Sequence, residues 1–221
     1  MTEIAVYVEG GGDRVALQEE LRRGFDALFV KERSKAREKR GSLRFICCGG
    51  RDEAYKAFKN ALAVNRERIN ALLVDSESAI PPVPADVSKD GVVRVALLRK
   101  KEGVGVRGQG DGWELSDDLA ARVHLMVQCM EAWIVSDPDA LEGFYKEKFK
   151  KNSLPKRDDL EEEPKADLYA KLKSATKDTQ KGEYGKIKHA SKLLAMIDPD
   201  KIAKHCSRFA IFRAWLVESI G

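Results

Sequence analysis

The sequence is poor in the residues that mark secreted, zinc-binding or membrane-spanning chains. It holds four cysteines and three histidines in 221 residues. Cys47, Cys48, Cys129 and Cys206 show no Cys-x-x-Cys spacing and lie in otherwise apolar stretches, so they read as reduced, packed thiols rather than a disulfide frame or zinc site. His124, His189 and His205 lack metalloprotease spacing, and His124, set in an apolar run, is expected to pack. No apolar run approaches the length of a bilayer span, and Met1 leads into a strand pattern without a basic leader. A cytoplasmic address without membrane attachment is the expectation. Common phosphate and nucleophile motifs are missing too. Val15 stands where Gly-x-Gly-x-x-Gly needs its last glycine, the Gly-Lys pairs lack a following Ser or Thr, and no Gly-x-Ser-x-Gly elbow occurs.

Charge of one sign is also scarce: 40 Lys and Arg against 36 Asp and Glu leave +4, too little to indicate a nucleic-acid partner by itself. The distribution says more. "KERSKAREKR" (31–40), "LLRKKEGVGVRGQG" (97–110) and "KGEYGKIKHASK" (181–192) are basic, whereas "RDDLEEEP" (157–164) is acidic. The first of these reads either as a solvated helix face or as a contact for phosphates. Hydrophobic content of 43% in a chain this long supports one substantial core and a small annex.

"IAVYV" (4–8) is a β-rich run, and Leu17, Leu21, Phe25 and Leu28 then recur at helical spacing. "LRFICC" (43–48) repeats the strand signal, and "GGRDEAYKAFKNAL" (49–62) places Ala54, Phe58 and Leu62 on one helical face. "INALLV" (69–74) begins a third cycle, ending on Asp75. Strands alternating with helices predict a mainly parallel α/β sheet flanked by helices, because a right-handed crossover needs the intervening helix. Residues 78–118 interrupt the rhythm and read as an insertion with a short strand, "GVVRVALL", and a mobile glycine-rich loop. "VHLMVQCM" (123–130) is a further buried strand. The expected organisation is an α/β core over 1–140 and a helical C-terminal annex over 141–221, with "FAIFRAWLVESI" packing on the core.

In a parallel sheet every strand's C-terminal end faces one edge, where ligands bind. Glu9 closes the first strand, and Asp75, Ser76 and Glu77 form an acid-x-acid unit after the third. Three carboxylates brought together repel unless a divalent ion neutralises them, and hard oxygen ligands suit Mg2+ or Mn2+. Gly10 and Gly11, with Gly12, leave backbone open to a phosphate, and Asp13 caps the next helix or supports the metal shell. Glu131 follows the fourth strand as a fourth metal ligand or as a helix-start carboxylate.

"VYVEGGGD" followed downstream by "ALLVDSE" resembles the Toprim signature of topoisomerases, primases and overcoming-lysogenisation-defect nucleases. "CGGRDEAYKAF", "DGWEL", "HLMVQCMEAWIVSD", "PKAD" and "KGEYGKIKHASKLLAMIDP" extend this to nearly the whole chain, which is similar to a prokaryotic Toprim-like family of unknown function often encoded beside AAA-type ATPases. The resemblance implies a Toprim-like, Rossmann-like fold, magnesium on the strand-end acids and an ATPase partner. Two departures stand out: Glu77 replaces the usual Asp, and no glycine follows shortly after it.

Divalent ions on such a rim activate water and stabilise an in-line phosphoryl displacement. Arg51, at a helix start, is placed to hold a phosphate there. Lys186, Lys188 and His189 either cover the site, with Lys supplying charge and His moving protons, or are ordinary surface residues. Arg107 sits in the glycine-rich loop, and Trp113 beside it stacks on a base, anchors the loop or simply packs. The expected activity is a metal-dependent nuclease with Glu9, Asp75, Glu77, Lys186 and His189 as catalytic residues, and an effector role in prokaryotic antiphage defence is an expectation alongside it. A non-catalytic module that binds nucleic acid or an ATPase is the alternative, and a small-molecule phosphatase using the same rim is a third reading.

Overall fold

The computed structural model describes residues 1–64, 67–99 and 111–221. The chain runs β1 (Glu3–Val8), α1 (Val15–Leu28), α2 (Val30–Glu38), β2 (Ser42–Cys47), α3 (Arg51–Val64), β3 (Ile69–Asp75), α4 (Asp90–Arg99) and β4 (Val123–Met126). Six helices follow: α5 (Glu131–Val135), α6 (Pro138–Tyr145), α7 (Lys165–Thr176), α8 (Lys186–Leu194), α9 (Pro199–His205) and α10 (Ser207–Ile220). The four strands form one all-parallel sheet in the order β2-β1-β3-β4. The fold is therefore the α/β architecture with a parallel sheet and flanking helices that the strand-helix alternation predicts.

Both faces of the sheet are covered, and the strand period assigns residues to them. Ile4, Val6, Val8 and Leu73 join one core cluster, whereas Ala5, Tyr7, Leu72 and Val74 join the other, as alternate side chains must. The first face is aromatic. Phe29 lies 5.0 Å from Phe45, 5.7 Å from Phe209 and 5.6 Å from Phe212, so α10 is tied to β2 and to the junction of α1 and α2 through one ring. Truncating such a ring to alanine costs about 3–5 kcal/mol. α10 buries Phe209, Phe212, Leu216 and Ile220, in keeping with the packing expected of it. His124, in β4, lies buried against the rings of Phe212 and Trp215. The four cysteines are all free, three of them buried.

One expectation is overturned. Residues 91–98 are not a strand but most of helix α4, the crossover from β3 to β4, so this stretch continues the strand-helix rhythm instead of breaking it. Gly91, Arg94, Val95 and Leu98 are its buried residues, at spacings of three and four. The run is so uniformly apolar that both periods can be read into it. What favours the helix is the buried ion pair of Asp90 with Arg94 one turn later, extended by Arg208 of α10 at 2.9 Å from Asp90. The glycine-rich loop with Arg107 lies outside the described residues.

The topology also selects the functional edge. From β1 the chain moves to one side to form β2 and returns to the other side to form β3, so β1 and β3 flank the reversal of strand order. In open parallel sheets, ligands bind in the crevice at the strands' carboxyl ends at that point. Glu9 follows β1 directly and Asp75 ends β3.

Candidate metal centre

Glu9 is held in place by backbone before its side chain acts. Its N–H donates to the Leu73 carbonyl at 3.0 Å, and Gly10 and Gly49 exchange two hydrogen bonds of 2.8 and 2.9 Å that pin the loops after β1 and β2 together. Gly10, Gly11 and Gly12 all have positive φ, 136°, 92° and 64°. A Cβ on Gly11 would stand 2.7 Å from the Gln18 Cα, so this loop lies directly on α1 and tolerates no side chain there. Asp13 is exposed and does not cap α1, which starts after Arg14 without a side-chain cap.

Pairing of the β3 and β4 chains continues past the strands: Ser76 N–H donates to the Met126 carbonyl and Glu77 N–H to the Gln128 carbonyl, each at 2.9 Å. Glu77 has φ of 66°, a left-handed conformation that costs a residue with a side chain about 1–3 kcal/mol. With the backbone so placed, carboxylate oxygens of Glu9, Asp75 and Glu77 lie within 4.8 Å of one another. Opposite oxygens around one magnesium stand about 4.2 Å apart, so the spacing and the hard donor set fit a small divalent cation.

Asp75 is the centre of the group and is only 1% exposed. Its Oδ1 accepts the Met130 N–H at 3.0 Å, just ahead of α5. Burial pushes its pKa up to about 6; the Lys186 charge opposes the shift, the Glu9 and Glu131 charges add to it, and Lys165 opposes it. Glu131 is fully buried but does not join the three gathered acids. Tyr184 donates its hydroxyl to Glu131 at 2.9 Å, and Lys186 Nζ lies 3.9 Å from the carboxylate.

Three cations balance these acids. Lys186 Nζ is 3.4 Å from Asp75; burial alone would lower its pKa, but the Asp75 and Glu131 charges drive it well above the usual range. Lys165 Nζ is 2.8 Å from Glu77 and 3.9 Å from Asp75. Arg51 grips Asp111 through two bonds of 2.7 and 2.8 Å, donates to Glu9 at 3.1 Å and also reaches the Asp75 carbonyl. Five carboxylates, Glu9, Asp75, Glu77, Asp111 and Glu131, thus meet three cations, an excess of two negative charges when all are ionised. One divalent ion carries the opposite charge.

Other predicted site residues lie elsewhere. Lys188 is exposed and donates to the Lys181 carbonyl at 3.0 Å. His189 is buried, with Nδ1 at 3.0 Å from the Tyr145 hydroxyl and 3.2 Å from the Gly185 N–H; burial and the neighbouring Lys188, Lys192 and Lys181 charges lower its pKa. It is packed as a neutral ring. Trp113 is buried, stacked on Tyr55 at 4.5 Å with the Arg51 guanidinium 5.1 Å from its ring, which is the packing alternative and not a surface for a base.

Lys165, Asp111 and Tyr184 are the site residues that sequence reasoning did not single out, although each lies in a segment already conspicuous there: "PKAD", "DGWEL" and "KGEYGK". Gln128 links two of these parts, since its carbonyl takes the Glu77 N–H while its side-chain oxygen takes the Lys165 N–H at 3.1 Å.

A protein-family model described as a domain of unknown function (DUF4276) matches residues 8–217. The chain belongs to that family. The match begins one residue before Glu9 and extends into α10, so all the residues of this centre fall inside it. No curated protein and no solved structure matches the chain. Among the described residues, no helix is long and apolar enough to cross a membrane.

Proposed function

We propose that this family member is a metal-dependent nuclease related to Toprim domains, hydrolysing phosphodiesters at the Glu9, Asp75 and Glu77 edge. The observation that carries this reading is the meeting of three carboxylates within 4.8 Å at the topological switch point, surrounded by Arg51, Lys165 and Lys186. Glu9, Asp75 and Glu77 would hold Mg2+ or Mn2+. Such an ion, when bound, supplies a water activated for attack and neutralises charge on the scissile phosphate. The chain's own contribution is positional: Arg51 and the two lysines present positive groups to a phosphodiester, and Lys186, held protonated between Asp75 and Glu131, offers a fixed positive charge to a leaving oxygen.

Purified protein incubated with labelled single- and double-stranded DNA, RNA and tRNA in Mg2+ or Mn2+ tests the reading, beside Asp75→Asn and EDTA controls. Cleavage lost in both controls supports it; absence of cleavage by a protein that binds Mn2+ in calorimetry counts against it unless an ATPase partner restores activity.

A second reading rests on a different observation. Lys165 and Lys186 already neutralise part of the acid cluster without any metal, an arrangement that suits a non-catalytic module regulating an ATPase or binding nucleic acid. Lack of Mn2+ binding by the wild-type protein would select it.

A further inference from the structure

A groove of about 340 Å3 opens directly beside the acid centre, sharing Glu9 and Lys186 with it. Its origin lies in how α1 and α8 pack. The two helices meet at Gly24, where a Cβ would stand 2.6 Å from the Ser191 carbonyl oxygen, and the Ser191 hydroxyl bonds to the Glu20 carbonyl. Leu17 and Leu21 of α1 and Ile187 and Ala190 of α8 line the groove, together with the triglycine loop.

The lining is largely aliphatic and glycine, with Glu20 and Ser191 adding polar groups. Leu17 is partly exposed and Ile187 is 61% exposed, and neither contributes to the two core clusters. The volume falls within the range of small-ligand pockets. At the mouth stand Glu9 and Lys186, the latter 3.4 Å from Asp75, so a molecule lying in the groove has its other end at the acids. Two helix N-termini also open here, each favouring negative charge nearby.

We propose that this groove takes one unstacked base of the nucleic acid, next to a phosphodiester facing Arg51, Lys165 and Lys186 at the acid centre. The inference rests on the nuclease reading and narrows it to strands that are single at the point of cleavage. A base inside a duplex reaches such a slot only by leaving its stack, which costs pairing and stacking energy, whereas a single strand offers its bases freely. Leu17, Leu21, Ile187 and Ala190 offer a base only aliphatic contact, with no hydrogen-bond pattern to read, so little sequence preference is expected.

The test compares cleavage and fluorescence anisotropy for one labelled oligonucleotide, alone and as a blunt duplex, with Mn2+. Wild-type protein is expected to favour the single strand by at least about tenfold. Leu17→Asn and Ile187→Asn each put a neutral amide in place of an aliphatic side chain of the slot, at positions outside the core and without changing the charge near the acids. Each is expected to weaken single-strand binding about tenfold while leaving Mn2+ affinity by calorimetry unchanged. Equal action on duplex and single strand, or variants that bind as wild type does, overturns the slot while leaving the nuclease reading intact. A protein that takes up Mn2+ yet neither binds nor cleaves any nucleic acid overturns both.

Discussion

The Glu9 carboxylate accepts the backbone N–H of Asp75 at 3.1 Å, joining residues 66 positions apart at the ends of two adjacent parallel strands. The same oxygen takes Arg51 at 3.1 Å. Glu9 is thus a strand-end tie as well as a ligand, and the two roles separate by substitution.

Glu9→Gln keeps an oxygen for the Asp75 N–H and loses the charge. It is expected to lower stability by no more than about 1 kcal/mol while reducing Mn2+ affinity at least about tenfold; Glu9→Ala, which leaves that N–H and Arg51 short of a partner, costs about 1–3 kcal/mol. Chemical denaturation and calorimetry on the two variants distinguish tie from ligand.

Lys165 competes with any cation for Glu77, to which it is bonded at 2.8 Å. Lys165→Met removes a positive charge from the edge of the centre, so Mn2+ affinity is expected to rise several-fold. If Lys165 instead served only to orient Glu77 for the metal, affinity would fall, and calorimetry reads the sign directly.

The Asp75 pKa near 6, raised chiefly by burial, makes cation binding pH-dependent in a range where ordinary carboxylates are fully ionised. Mn2+ affinity should drop about tenfold per pH unit below 6 on account of this proton. Stability of the metal-free protein should respond in the opposite sense. The folded state holds a proton on Asp75 that the unfolded chain, titrating near 3.8, has already released, so the Asp75 contribution falls as pH rises from about 4 to 6. Asp75→Asn should flatten that part of the stability profile.

Arg51 binds Asp111 through two nitrogens and lies 5.1 Å from the Trp113 ring centroid. A lysine cannot reproduce a planar two-pronged contact, so Arg51→Lys should lower stability by about 1–2 kcal/mol and change tryptophan fluorescence. Unchanged unfolding and emission would show that the guanidinium does not hold the segment at 111–115.

The parts of the site that were legible in the sequence are those set by local geometry. Glu9, Asp75 and Glu77 could be placed because residues that end parallel strands necessarily share an edge, and Arg51 because a helix begins there. Local geometry also disfavours Lys188: on a helix, residues two apart point about 200° around from one another, so Lys186 and Lys188 do not face one site. Lys165 meets Glu77 across 88 residues and Tyr184 meets Glu131 across 53, and no spacing rule reaches so far. Helix α4 is not legible for another reason, since an almost wholly apolar run carries no period until its neighbours choose a face.

By itself the sequence determined the alternation of strands and helices, the parallel sheet and the acids at its carboxyl edge, because these follow from hydrophobic period and crossover handedness. Only the tertiary structure decided which charges neutralise those acids, that Glu131 stands back from them, and that α1 and α8 line a groove beside Glu9. Those features depend on side chains brought together from distant segments, where close packing and the high cost of an unpaired buried charge leave few arrangements open.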